Sequence, residues 1–104
     1  MMMTLTGKQK AYLKKTAHPM SPLFQIGKHG VTEELIKQIE DALEKRELIK
    51  VSLLQNTDVT TKEAGEEIQE ATGADIVQTI GKVLVLYKKS SKEKNQKISS
   101  SLPK

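Results

Sequence analysis

Helical and strand periodicities alternate along these 104 residues and predict an α/β protein, a two-layer sandwich in the order α-β-α-β-α-β-β around a mixed four-stranded sheet. Three observations carry that expectation. Thr6 with Gln9 and Thr60 with Glu63 have the spacing of capping boxes, each ahead of a helical apolar pattern. A glycine-bracketed bend, Gly27-Lys28-His29-Gly30, separates a short apolar run from a further helix start at Thr32. The last two apolar runs flank Gly81-Lys82, a two-residue hairpin signal.

The first helix is expected from Thr6 to about Ala17, stopped by Pro19 and Pro22, with Leu13 and Ala17 on one side. Lys8, Lys14 and Lys15 gather on another side, with Lys10 at its edge. Pro22 to Ile26 reads as a short strand. The second helix, about Glu33 to Arg46, turns Leu35, Ile36, Ile39, Ala42 and Leu43 inward and leaves most of its acids outward. Leu48 to Leu54 alternates as a strand. A third helix buries Ala64, Ile68 and Ala71 and ends at Gly73. Ile76 to Ile80 and Val83 to Lys88 complete the sheet; Val83 to Leu86 lacks polar alternation, the mark of a strand covered on both faces. Right-handed crossovers make the first three strands parallel and the hairpin makes the last antiparallel. From Ser90 the chain turns to Lys, Ser, Asn and Gln, which reads as a mobile basic tail over residues 90–104.

Composition narrows the function. The net charge of +4 hides a block pattern: +5 over residues 1–30, −7 over 31–75 and +6 over 76–104. If the chain ends meet, their lysines form one positive surface, suited to a polyanion, opposite an acidic face. With no cysteine there is no disulfide or thiolate chemistry. The longest apolar stretch, Val83 to Tyr87, is too short to cross a bilayer, and no secretory apolar core follows the initial methionines. A cytoplasmic protein without membrane attachment is the expectation. Two distant histidines make no transition-metal set. No acid, base and oxyanion donor come together, so neither catalysis, a cofactor nor a small-molecule substrate is expected.

The bend is the candidate site. Gly27 and Gly30 let the backbone turn sharply and come close to a ligand. Lys28 adds a fixed charge and His29 an imidazole, just ahead of a helix N-terminus that favours phosphate. Lys8, Lys10, Lys14 and Lys15 would extend a positive track. With 3% aromatics, and Tyr12, Phe24 and Tyr87 read as core, base stacking contributes little.

Several segments resemble one family in order along nearly the whole chain. They are Leu5 to Lys10, Gln25 to Thr32, Glu47 to Val51, Gln78 to Tyr87, Lys97 to Ser99, and Leu102-Pro103. The sequence is similar to the single-domain bacterial YhbY-like proteins, which are stand-alone CRM (chloroplast RNA splicing and ribosome maturation) domains. The resemblance implies a domain over residues 2–98 with a compact core at about 4–89. It also implies a fold similar to the C-terminal domain of translation initiation factor 3, with the last strand between the second and third. RNA binding is implied too, with precursors of the large ribosomal subunit as target and Gly27, Lys28, His29 and Gly30 as the GxxG loop. His29 and the Ser99-Ser100-Ser101 insertion depart from the family pattern. An alternative reading is a protein-protein adaptor, its acidic helices Glu33 to Glu44 and Glu63 to Glu70 docking a ribosomal protein.

Overall fold

The computed structural model describes residues 5–103. Residues 2–4 of the expected domain and Lys104 of the expected tail lie outside the described residues. The elements run α1 (Gly7–Ala17), β1 (Phe24–Ile26), α2 (Glu33–Arg46), β2 (Leu48–Leu53), α3 (Thr61–Thr72), β3 (Asp75–Ile80), β4 (Val83–Tyr87), a 3₁₀ turn (Glu93–Asn95) and α4 (Lys97–Ser101).

Both capping boxes form. Thr6 Oγ1 accepts from the Gln9 amide at 3.1 Å while Gln9 Oε1 accepts from the Thr6 amide at 3.0 Å. Thr60 and Glu63 repeat this at 3.1 and 3.2 Å. Thr32 caps α2 by accepting from the Leu35 amide at 3.1 Å. Each bond satisfies an amide that helix geometry leaves without a partner. β1 is shorter than its apolar run, because Pro22 has no N–H to give the ladder; pairing starts with the Leu23 amide on the Lys50 carbonyl at 2.8 Å.

The sheet order is β1-β2-β4-β3, with β1 parallel to β2 and β4 antiparallel to both its neighbours. The last strand therefore sits between the second and third. Its apolar run is explained by cover on both faces. Leu84 and Leu86 point into a core with Ile26, Ile49, Val51, Ile39, Leu43 and Ile68. Val85 and Tyr87 point the other way, onto Leu5, Leu13, Ala17, Leu48 and Val77. Fully burying a side chain such as Leu13 contributes about 1.5–3 kcal/mol. The expected two layers are thus three: α1 covers one face, α2 and α3 the other. Leu13 and Ala17 join Val85 and Tyr87 in the second core, so α1 is the cover for the second apolar face of β4.

Two further expectations change. Ala71 is exposed, while Ala64, Gly65, Ile68 and Thr72 are buried, so the inward stripe of α3 follows the i, i+4 ridge and leaves Ala71 at its margin. Residues 90–102 are not a free tail: they fold back against the end of α2. The anchor is Glu47, which is fully buried. Its carboxylate accepts from the amides of Ser90 (2.8 Å), Ile98 (3.1 Å) and Ser99 (2.9 Å), and from the Ser99 hydroxyl. Ile98 and Leu102 pack on the Leu5–Leu13 side of the core.

Candidate nucleic-acid interface

Strand β1 ends at the rim of the sheet beside Leu53 of β2, and the chain turns there before entering α2. The turn closes through the Gly30 amide on the Gly27 carbonyl at 3.0 Å. Gly30 has φ +67°, a region that costs other L-residues about 1–2 kcal/mol. Lys28 and His29 form the exposed tip. An open cleft of about 290 Å³ is lined by Gln25, all four turn residues, Thr32, Glu34, Leu35 and Gln38. It offers backbone, an ammonium, an imidazole and amide side chains, with Glu34 as an opposing charge. Such a surface suits a phosphodiester better than an apolar ligand.

The lysines of α1 are all exposed, but they do not line this cleft. Helix α1 covers the sheet face opposite α2. Lys10 lies near Asp75, whose carboxyl is pushed up by burial while Lys10 pulls it down. Asp75 pairs with Tyr87 at the end of the sheet remote from the turn. The helix then runs toward Lys50, whose ammonium donates to the carbonyls of His18 (3.1 Å) and Met20 (3.0 Å).

The two chain ends do meet, as Gln9 Nε2 donates to the Pro103 carbonyl at 3.1 Å. They meet at the remote end of the sheet, however, so the single positive surface expected around the bend is divided. Lys94 and Lys97 stand beside Lys45 and Arg46 at the C-terminus of α2 and share a groove with them. This grouping escaped sequence reasoning. Its only trace there was the lysine spacing of a segment that read as unstructured.

Tyr12, Phe24 and Tyr87 all pack in or against the two cores, leaving no aromatic platform among them. The hydroxyl of Tyr87 is 2.5 Å from Ser99 Oγ. Since Ser99 gives its one proton to Glu47, Tyr87 is the donor in that pair. Burial pushes the Tyr87 phenol up, against the Ser99 hydrogen bond. Among the described residues, no group of three or more His, Cys, Asp or Glu could hold a metal, and no helix is long and apolar enough to cross a membrane.

Comparison with known proteins agrees with this architecture. The chain is 50% identical over 90 residues to Probable RNA-binding protein YqeI of Bacillus subtilis, covering 86% of this chain and 94% of that one. It is 42% identical over 95 residues to an RNA-binding protein of Haemophilus influenzae, covering 91% and 96%. The solution structure of the protein SAV1595 from Staphylococcus aureus matches with a TM-score of 0.75 at 50% identity, covering 96% of this chain and all of that one. The family model for the CRS1 / YhbY (CRM) domain matches residues 5–88, and the chain belongs to that family.

Proposed function

We propose that this protein binds RNA by its backbone, holding a phosphate at the Gly27–Gly30 turn, and that it acts on ribosomal RNA in precursors of the large subunit. The observation that carries the reading is the exposed turn itself. A positive-φ glycine opens the backbone, Lys28 stands at the tip, and the N-terminus of α2 lies directly behind. Relatives that match over most of their length are named for RNA binding, which supports the ligand class. The resemblance to ribosome-maturation proteins supports the target. Lys14 and Lys15, exposed in the last turn of α1, extend contact beyond the turn. Recognition is of backbone and shape, because exposed aromatic side chains for reading bases are lacking among the described residues.

The test is filter binding of a large-subunit ribosomal RNA fragment to the Lys28→Ala protein and to the Lys14→Ala/Lys15→Ala protein, with circular dichroism as the fold control. Each phosphate that a variant no longer neutralises should flatten the log–log salt slope by about 0.7 on single-stranded RNA. An unchanged slope and affinity in both variants refutes the interface. Crosslinking in cells followed by sequencing identifies the RNA, and crosslinks confined to other transcripts refute the ribosomal target.

A further inference from the structure

Lys45, Arg46, Lys94 and Lys97 line a groove of about 300 Å³ with Asn95 and Ile98, and all four cations are exposed. Two belong to the last turn of α2, where the helix dipole favours cations. That accounts for Lys45 and Arg46 but not for the others. Lys94 comes from the 3₁₀ turn, and Lys97 is the first residue of α4, the end at which a cation is disfavoured. They reach the groove because residues 90–99 are fastened to Glu44 and Glu47. Those two carboxylates accept from serine hydroxyls and backbone amides, so both are occupied by the fastening. Glu93 is the one acid within the segment 90–102.

Position gives the groove its meaning. The Gly27–Gly30 turn precedes the N-terminus of α2 and the groove surrounds its C-terminus, so 14 residues, or about 20 Å, lie between them. Along that helix four exposed acids, Glu33, Glu34, Glu40 and Asp41, outweigh the one exposed cation between them, Lys37. A single backbone laid along α2 would cross this acidic stretch, where like charge repels it. We propose that the groove is a second phosphate-backbone site, so that the protein holds two RNA segments at once. The proposal takes RNA as the ligand from the reading above but does not depend on the turn being the first site.

The experiment counts short RNAs per protein by native mass spectrometry, using a six-nucleotide single-stranded RNA and the full chain at low salt. The unaltered protein should carry two. Lys94→Gln/Lys97→Gln, in exposed positions, should carry one at the same RNA concentration, with affinity for the second lowered about tenfold and the melting temperature unchanged. Lys94→Arg/Lys97→Arg should restore two. Lys28→Ala should also carry one, because the turn no longer binds. If the unaltered protein carries only one RNA, or the groove variant still carries two, the second site is refuted. If Lys28→Ala keeps two while the groove variant drops to one, the turn fails as an interface and the groove stands.

Discussion

Glu47 combines two costs that a residue in a folded chain usually avoids. It has φ +65° and ψ −35° without being glycine, and it places a carboxylate in a fully buried position. Four donors offset the burial, three backbone amides and the Ser99 hydroxyl. Its own backbone is satisfied as well, by the Leu43 carbonyl and the Lys88 amide. Glu47→Gln turns an amide group toward these donors and leaves at least one of them unpaired. It should destabilise the protein by about 1–3 kcal/mol in urea denaturation, with faster hydrogen exchange at Ile98 and Ser99. Wild-type stability and exchange would show that the network contributes nothing. Sequence reading found Gly30 and missed Glu47 for one physical reason. A turn glycine answers to its immediate neighbours, whereas the donors to Glu47 stand 43 to 52 positions away.

Local signals sufficed for the elements that cap themselves. The boxes of α1 and α3 and the hairpin at Gly81 are written within four residues, and each forms where expected. Segment 90–102 has no such signal. Lys-Ile-Ser-Ser-Ser is a poor helix by propensity, and α4 exists because tertiary contacts hold it. Glu44 is the outer fastening: its carboxylate accepts from Ser90 Oγ at 2.5 Å and the Ser91 amide at 2.6 Å, and its carbonyl accepts from Asn95 Nδ2 at 3.1 Å. The Ser90 and Ser91 hydrogen bonds lower the Glu44 carboxyl from 4.5 to about 2. A group depressed in the fold lends its full support above its unfolded value and loses it as acid is added. The segment should therefore stay fastened at neutral pH and loosen between pH 4.5 and 2, read from the Ser91 amide by NMR. Glu44→Gln should remove that titration step; a step that persists in the variant assigns it to another group. Packing of α3 is equally specific. A Cβ on Gly65 would lie 3.0 Å from Ile76 Cδ1 and 3.2 Å from Leu84 Cδ2, so Gly65→Val should cost about 1–3 kcal/mol in thermal melts. Stability at or above wild type would mean that α3 can lift from the sheet without penalty.

At the scale of the whole molecule, charge blocks along the chain become poles in space, though not the poles that composition suggested. Block counting gave the sign of each segment but not its place, because place depends on strand order. With β4 antiparallel between β2 and β3, the chain leaves the sheet at the end remote from the turn and carries its last lysines there. The acidic face lies between the poles and includes the exposed Glu66, Glu67 and Glu70 of α3. These acids repel an approaching polyanion without touching it, and the repulsion reaches about 30 Å at 0.01 M salt but only about 3 Å at 1 M. Replacing all three by Gln should accelerate RNA association several-fold at low salt in stopped-flow measurements, with little change in dissociation, and the gain should vanish at high salt. A slower association, or a dissociation rate that rises, would mean that RNA contacts α3 directly and that the acidic face belongs to the interface. Loss of a bound ribosomal protein with RNA kinetics unchanged would instead make that face a protein docking surface, because an adaptor needs those carboxylates in contact while a steering field needs them only nearby.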